Sequence, residues 1–373
     1  MKICLTANTS WYLYNFRATT ISALIEQGHE LISIAPEDSF SSKLSEMRCR
    51  QISLDIDSNG KGIFENISVI VKYISILRRE APDVVVSFTP KANILGGVAA
   101  RYLGIPLIPN ISGVGSQFNK SLYMHFLLKI LYRISLRRSR TVFFQNEEDL
   151  TKFVEKRIVK KRQAKRLLGS GVDIHQFKFS PLPVDSGPIT FLFVGRLLWD
   201  KGLRHFVEAA EVISIKYGKG VRFSIVGIDV PDNPNAVSCD VLKEWRSCEF
   251  IEYKGSSERV YDDIGKCSCV VMPSFYGEGV PKTLLEAASC GRPAITTDVP
   301  GCRDAIIDRK TGFLCAPQST ESLIAAVSKF LDISSKERQS MGNEARALAE
   351  AQFSDRSNIE SYIFEIDQIG SCS

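Results

Sequence analysis

Short apolar segments alternate with longer segments of helical periodicity along almost the whole chain. In the first half the apolar segments are residues 2–7, 30–35, 84–88, 107–111 and 141–145. Helix-length stretches such as residues 17–27 and 67–80 separate them. Apolar strands connected by helices are typical of a parallel sheet that is covered on both faces. The pattern therefore predicts a doubly wound α/β domain.

The alternation stops once and then resumes. Residues 178–188 contain three prolines and no strand or helix period, which predicts a linker. Further strand-like segments follow at residues 190–195, 221–227, 250–255, 269–273 and 294–297. We expect two doubly wound parallel-sheet domains, residues 1–177 and 189–354, facing each other across a cleft at the carboxyl ends of their strands. The last helical segment, within residues 355–373, is expected to pack back on the first domain.

Length and composition agree with this organisation. The chain has 373 residues, about two domains of average size, with 44% hydrophobic and 24% charged residues. These values exclude a disordered, collagen-like or disulfide-stapled chain. We find no leader peptide and no apolar run long enough to span a membrane, and the ten cysteines lack metal-binding spacing. Reduced thiols and a cytoplasmic location are expected.

Charge is distributed unevenly along the chain. The residues up to Gly169 include 25 basic and 14 acidic ones, a net charge of +11, whereas the remainder has 22 and 28, a net charge of −6. In the predicted helix 119–140, a basic residue recurs every fourth position, which advances about 40° per step. These positions are His125, Lys129, Arg133 and Arg137. The neighbouring face, which includes Phe126, Ile130 and Ile134, is apolar and is expected to be buried.

A second basic run, residues 152–166, holds eight basic residues and one acid and includes Lys160 and Lys161. A solvated helix is the usual explanation of such a run. Two such basic runs in one domain favour an anionic membrane surface or a lipid diphosphate as the binding partner. Each basic residue near an anionic leaflet contributes about 1 kcal/mol to such binding. Nucleic acid is not an expected partner, because no aromatic stacking platform accompanies the charges.

The segment 273–295 predicts a strand end, a glycine-rich turn and a helix whose first turn contains Pro281. The amides of Val280, Lys282 and Thr283 would lie at the positive end of that helix, where an anion such as a diphosphate is stabilised. Glu286, deeper in the helix, could accept two hydrogen bonds from the vicinal hydroxyls of a ribose.

A second strand-and-turn segment spans residues 191–202. Arg196 and Lys201 follow this strand and could neutralise a leaving phosphate. Taken alone, the two charges would more often be solvated loop residues. Together with the first motif they indicate a cationic pocket for a nucleotide diphosphate.

Several motifs in order resemble one family. They are YNFR (14–17), SFTPKANILGGVAAR (87–101), IPNISGVGSQF (108–118), FFQNEEDL (143–150), GSGVD (169–173), VGRLLWDKG (194–202), EYKG (252–255) and MPSFYGEGVPKTLLEA (272–287), followed by GRPAITTDVPGCRDAI (291–306). The set resembles the family 4 retaining glycosyltransferases of the GT-B fold, in particular bacterial enzymes that build lipid-linked O-antigen and capsule repeat units. The resemblance extends from about residue 1 to residue 362.

The resemblance implies a role for each matching residue. Glu278 would contact the hydroxyls of the donor sugar and Glu286 the ribose, Arg196 and Lys201 would bind the diphosphate, and Gly255 would lie near the uracil. Gly279, Val280, Lys282 and Thr283 would complete the donor site. The family motif usually has arginine where this chain has Gly277 and Lys282.

We therefore expect a peripheral enzyme at the cytoplasmic face of the inner membrane. It would transfer a hexose or N-acetylhexosamine from a UDP-sugar to a polyprenyl-diphosphate-linked saccharide, with retention of configuration as the resemblance implies. Same-face substitution is preferred to double displacement, since no nucleophile is evident. No cofactor or metal is expected, because Arg196 and Lys201 supply the positive charge that Mg²⁺ would bring. Asp55 and Asp57 only imitate a metal-binding DxD motif.

Two alternative functions are an epimerase and a non-catalytic binding subunit. A UDP-sugar 2-epimerase shares the fold but needs acid and base carboxylates and a histidine near the sugar. We find none, because His29, His175 and His205 lack a carboxylate partner at an obvious spacing. The other alternative is a non-catalytic subunit that binds donor or lipid, and the intact set of charged residues argues against it. A Rossmann dehydrogenase is disfavoured, since no G-x-G-x-x-G follows the first strand.

Overall fold

The structure is a computed structural model that describes residues 1–56, 62–113, 122–183, 187–231, 233–277 and 279–371. The chain divides into two compact units. Unit 1 comprises Met1–Gly171 together with Asp355–Ser373, and unit 2 comprises Val172–Ser354. Each unit is a doubly wound α/β domain, so the predicted fold class is confirmed.

Unit 1 contains a seven-stranded parallel sheet with the order β3-β2-β1-β4-β5-β6-β7. Its strands are β1 (Lys2–Thr6), β2 (Glu30–Ala35), β3 (Cys49–Ser53), β4 (Val84–Phe88), β5 (Leu107–Ile111), β6 (Val142–Phe144) and β7 (Ala164–Arg166). The central strands are apolar and buried on both faces, as helix-covered parallel strands are. The order turns back at β1 and β4, which places the switch point of the sheet between their carboxyl ends.

Helices cover both faces of this sheet. They are α1 (Ser10–Glu26), α2 (Ser41–Glu46), α3 (Ile63–Glu80), α4 (Gly97–Leu103), α5 (Leu122–Leu136), α6 (Glu147–Glu155) and α13 (Asp355–Gly370). One apolar core joins the sheet to α1, α2 and α13, and a second core joins it to α3, α4, α5 and α6. The C-terminal helix α13 is therefore part of unit 1, where Tyr362 and Ile366 are fully buried.

Unit 2 contains a six-stranded parallel sheet with the order β10-β9-β8-β11-β12-β13. Its strands are β8 (Ile189–Arg196), β9 (Val221–Ile228), β10 (Glu252–Gly255), β11 (Cys269–Met272), β12 (Ala294–Thr297) and β13 (Gly312–Cys315). Its helices are α7 (Leu203–Tyr217), α8 (Cys239–Ser247), α9 (Val260–Lys266), α10 (Lys282–Ser289), α11 (Thr320–Asp332) and α12 (Ser335–Leu348). The main core packs α7, α8 and α11 on one face of the sheet, while α10 lies beside α9 and α12.

The change of unit falls between Gly171 and Val172, earlier than the predicted domain end at residue 177. Residues 172–183 belong to unit 2 because they bond to its helices. The hydroxyl of Ser289 donates to the carbonyl of Phe177 at 2.6 Å, and the Arg292 guanidinium donates to the carbonyl of Ser180 at 2.7 Å. The first part of the proline-rich segment 178–188 is thus held against unit 2.

Candidate functional site

Two neighbouring strands of unit 2 carry the predicted motifs. β8 and β11 pair in parallel, with Phe191 opposite Cys269, so their carboxyl ends lie at the same edge of the sheet. Arg196 is the last residue of β8 and its side chain is exposed. Lys201 lies in the helical turn that follows and is nearly buried, at 6% exposure. The structure therefore places both predicted cations just beyond one strand end.

The segments that follow β8 and β11 are bonded to each other. The carbonyl of Asp200 accepts hydrogen bonds from the Phe275 amide at 3.1 Å and from the Ser274 hydroxyl at 3.3 Å. Gly202 has φ +79°, and a Cβ there would lie 2.0 Å from the carbonyl oxygen of Pro273. Only glycine permits this approach. Asp200 and Gly202 were not among the predicted site residues, although the glycine after Lys201 was the available signal.

Helix α10 begins at the same edge. Its Thr283 hydroxyl donates to the carbonyl of Val194 in β8 at 3.3 Å. Lys282 is its first residue and Pro281 precedes it as the N-cap, at the position where the helix was predicted to begin. Gly279 and Val280, which lead into the helix, are buried. The positive end of α10 thus lies next to the segment that carries Arg196 and Lys201.

Glu286 lies one turn into α10 and is partly exposed. Burial raises the pKa of this carboxyl above its ordinary value, while Lys282, one turn earlier, opposes the shift. A partly buried carboxylate can gain stabilisation from hydroxyl groups that donate to it, as the two hydroxyls of a ribose do. Glu278 lies outside the described residues.

Gly255 ends β10 with φ +76°. β9 separates β10 from β8, so Gly255 shares the carboxyl edge of the sheet with Arg196 but is not on an adjacent strand.

His205, in the first turn of α7, has a carboxylate in reach. Its Nδ1 lies 2.7 Å from the Thr320 hydroxyl and 3.9 Å from the Glu208 carboxylate. The ring also packs edge-on to Phe275, with centroids 6.3 Å apart. The expectation that this histidine has no carboxylate partner was therefore wrong. The three-residue spacing of His205 and Glu208 on a helix was the signal that was missed.

The predicted basic residues of unit 1 lie at its surface. Arg133, Arg137, Lys160 and Lys161 are exposed, and Lys129 is partly so. Residues 152–166 do not form one helix, because α6 ends at Glu155 and β7 begins at Ala164. On α5 the side chains of Tyr132 and Leu136 are buried, but Phe126, Ile130 and Ile134 are exposed. The expected burial of that apolar face is therefore wrong for these three, and the side chain of His125 is outside the described residues.

The remaining predictions concern metal binding, the state of the cysteines and membrane-spanning helices. Asp55 is exposed beyond β3, and Asp57 lies outside the described residues. Within the described part of the chain, no group of three or more His, Cys, Asp or Glu side chains is arranged to hold a metal ion. Nine cysteines in that part are free thiols, most of them buried. No helix formed by the described residues is long and apolar enough to cross a membrane.

The family comparisons give the class of protein to which these two α/β units belong. Residues 175–348 match the model "Glycosyl transferases group 1" and residues 2–146 match "Glycosyl transferase 4-like". The chain belongs to the glycosyltransferases that combine these two domains, and its structural neighbours have the GT-B fold.

Individual relatives extend this assignment. The chain is 25% identical over 349 residues to an N,N'-diacetylbacillosaminyl-diphospho-undecaprenol α-1,3-N-acetylgalactosaminyltransferase of Campylobacter jejuni, covering 89% of this chain and 90% of the relative. It is 24% identical to a UDP-Gal:α-D-GlcNAc-diphosphoundecaprenol α-1,3-galactosyltransferase of Escherichia coli, covering 76% and 73%. The Anabaena protein HepE, solved with UDP and glucose, superposes with a TM-score of 0.77 over 98% of both chains at 18% identity.

Proposed function

We propose that the protein transfers a hexose or N-acetylhexosamine from a UDP-sugar to a polyprenyl-diphosphate-linked saccharide, at the cytoplasmic face of the membrane, for a bacterial surface polysaccharide. The observation that carries the donor half is the edge of unit 2, where Arg196, Lys201 and the start of α10 adjoin through the Thr283 and Asp200 hydrogen bonds. The acceptor half rests on the relatives from C. jejuni and E. coli, whose acceptors are undecaprenyl-diphosphate sugars.

The proposed chemistry follows from charge. When the sugar leaves, negative charge develops on the diphosphate, and fixed positive groups beside it stabilise the transition state more than the ground state. Arg196, Lys201 and the amides of Val280, Lys282 and Thr283 supply that field without a metal. The acceptor hydroxyl attacks from the face that the diphosphate leaves, and a phosphate oxygen takes its proton. The configuration is thereby retained.

The two glutamates have separable roles in this proposal. Glu286 binds the ribose, which donor and product UDP share, and Glu278 binds the sugar. Glu286→Ala should weaken UDP binding measured by calorimetry, whereas Glu278→Ala should leave it nearly unchanged and abolish transfer. Equal losses of UDP affinity in both variants would overturn the assignment.

Turnover tests the cationic edge. Arg196→Ala should lower kcat by roughly 10²-fold, as the loss of one charge-stabilising donor does in other enzymes. Arg204→Ala, an exposed arginine of α7 paired with Glu208, is the matched control and should be silent. Activity should also survive excess EDTA. Incubation with UDP-sugar and no acceptor should yield no new nucleotide sugar, whereas an epimerase would make one.

The outer surface of the α3–α4–α5 layer supports attachment to a membrane. On α3 the exposed apolar side chains recur as one stripe, Phe64, Ile67 and Val71, with Phe64 at 88% exposure. On α5, Phe126 is 62% exposed, and the exposed Arg133 lies two turns further along the same helix. Apolar side chains flanked by basic ones are the composition of helices that lie in the membrane interface.

Liposome flotation separates the two contributions. Replacing Arg133, Arg137, Lys160 and Lys161 with Gln should reduce binding to anionic vesicles and remove its salt dependence. Replacing Phe64 and Phe126 with Ser should reduce binding at every salt concentration. Neither set should lower the melting temperature, because all of these side chains are exposed. Wild-type flotation of both variants would exclude this surface.

A further inference from the structure

Unit 1 contains a buried cation that has no acidic partner. Arg17, in α1, is fully buried, and its only hydrogen bond to the described part of the chain runs from Nη2 to the Tyr12 hydroxyl at 3.4 Å. Among the same residues, its Nε and Nη1 atoms have no hydrogen-bond partner. Within the described residues no carboxylate lies within 4 Å of its guanidinium. The group instead faces the ring of Phe88 at 4.5 Å, with Tyr362 at 5.8 Å and Tyr12 at 6.0 Å.

This arrangement works against stability. A buried charge without a paired anion loses its hydration and recovers little of it, and contacts with aromatic rings offset only a part. A methionine at position 17 would fill similar space without that cost. The polar groups nearby are neutral: Asn110 donates to the Tyr362 hydroxyl at 2.6 Å, and Gln145 donates to Asn110 at 3.2 Å. The fold therefore keeps an uncompensated positive charge at this place.

Backbone strain next to Phe88 is a second, independent cost to stability. Thr89, the residue after Phe88, has φ +68°, a left-handed conformation that β-branched residues rarely adopt. It is nearly buried, and its hydroxyl accepts a hydrogen bond from the Asn8 amide at 3.2 Å, which joins the segments after β1 and β4. Backbone strain of this kind persists mostly at binding and catalytic sites. Both costs fall at the switch point of the sheet, where open α/β sheets bind ligands.

We propose that this place in unit 1 is the subsite for a phosphate of the acceptor, with Tyr12 as the contact and Arg17 as the positioning residue behind it. The inference rests on the proposed function for the identity of the acceptor. Tyr12 is partly exposed, and its oxygen accepts from Arg17, so its own O–H is left to donate to a phosphate oxygen. The charge of Arg17 acts through a low-dielectric interior, where it is weakly screened.

Inorganic diphosphate, titrated by calorimetry into the full-length protein saturated with UDP, tests the subsite while the donor site is occupied. Wild type should bind diphosphate, and Tyr12→Phe, which removes the proposed contact, should bind it roughly 10- to 100-fold more weakly, the range of one hydrogen bond to a charged group. Arg17→Met should also weaken binding, because it removes the charge behind Tyr12, and Arg17→Lys, which keeps the charge, should recover most of that loss. UDP affinity should be unchanged in all three.

The melting temperature distinguishes this role from a structural one. Arg17→Met should melt at or above the wild-type temperature, because it removes an unpaired buried charge. A lower melting temperature with unchanged diphosphate affinity would mean that Arg17 only supports the fold, and would overturn the proposal. Absence of diphosphate binding to the UDP-saturated wild type would do the same.

Transfer kinetics separate this inference from the proposed function. With a polyprenyl-diphosphate-linked saccharide, Arg17→Met should raise the acceptor KM more than it lowers kcat. If wild type uses that acceptor and the variant has an unchanged KM, the subsite is wrong and the function stands. If diphosphate binds as expected but no polyprenyl diphosphate serves as acceptor, the function is wrong and the subsite stands.

Discussion

Two fully buried arginines, one in each unit, have opposite surroundings. Arg292 in unit 2 donates from all three of its nitrogens, to the carbonyls of Ile264, Gly265, Cys290, Gly291, Ser180 and Pro181 and to the Ser180 hydroxyl. To the residues that the structure describes, Arg17 in unit 1 makes one long hydrogen bond, and two of its nitrogens have no partner among them. Neither arginine pairs with a carboxylate in the described residues. The two arginines therefore differ in hydrogen-bond satisfaction and not in burial.

The contrast between the two arginines disappears if Arg292 is dispensable for stability. Arg292→Met should lower the free energy of unfolding by about 3–5 kcal/mol, because several buried carbonyls lose their donor at once. Denaturant unfolding measures this, and Arg17→Met is the matched control with the opposite expected sign. Similar stability losses in both variants would remove the distinction.

Glu286 of unit 2 is a partly buried acid whose charge can be tested in the same way. Because its pKa is raised, the ligand-free protein takes up a proton there at a higher pH than an ordinary glutamate does. If the ionised form binds the ribose, UDP affinity should fall as pH drops through this raised pKa, by roughly tenfold per pH unit below it. Glu286→Gln should bind UDP weakly with a flat profile over that range. An identical pH dependence in the variant would contradict the role.

The folded-state pKa of Glu286 also predicts a trend in stability. A carboxyl whose pKa is raised on folding favours the native state below its unfolded pKa, and that contribution is lost as pH rises through the folded value. The stability of wild type relative to Glu286→Gln should therefore decline as pH rises above the ordinary pKa of a glutamate. A relative stability that increases over this range would reverse the assigned sign.

Ser180 tests one contact of the Arg292 set. Its hydroxyl accepts from Nη2 of Arg292 at 2.6 Å, and its carbonyl accepts from Nη1. Ser180→Ala removes only the first of these and should cost about 1 kcal/mol. A much larger loss would mean that the guanidinium depends on this hydroxyl for its position.

Substitution of Thr89 has the smallest expected effect on the free energy of unfolding, and it should stabilise the protein. Asparagine tolerates the left-handed region and can still accept from the Asn8 amide. Thr89→Asn should therefore raise the free energy of unfolding by about 0.5–1 kcal/mol, as relief of strain does at compatible positions. A stability loss would mean that the threonine methyl packs well enough to compensate for the strain.

Local patterns were sufficient to predict the fold. Buried parallel strands are mostly apolar, and β2, β4, β5 and β12 could be delimited to the residue. The edge strands β3 and β7 were not predicted, because half-exposed strands such as Cys49–Ser53 carry polar residues and lack that signal. The exposure of Phe126 was not predicted either, since an apolar stripe has the same period whether it faces a sheet or solvent.

The placement of four candidate residues could be predicted, because each lies in a segment that follows a strand. Arg196, Lys201, Thr283 and Glu286 lie in two segments that end at one strand edge, and parallel pairing of β8 with β11 brings the segments together. Asp200 acts through its backbone carbonyl, which any residue possesses, so its sequence identity gives no hint. Arg17 could be noted only as part of a motif. The ring of Tyr362 that faces its guanidinium comes from α13, more than 340 residues away along the chain. The local sequence around Arg17 therefore could not predict its surroundings.

The division of the chain has a practical consequence. Unit 2 is one uninterrupted segment inserted between β7 and α13 of unit 1. The two ends of the insert meet, since the Val172 amide donates to the Phe353 carbonyl at 2.8 Å. Inserts with adjoining ends can be exchanged without stretching the host. Residues 172–354 can therefore be exchanged for the equivalent segment of a relative, while Tyr362 and Glu365 stay in the core of the host.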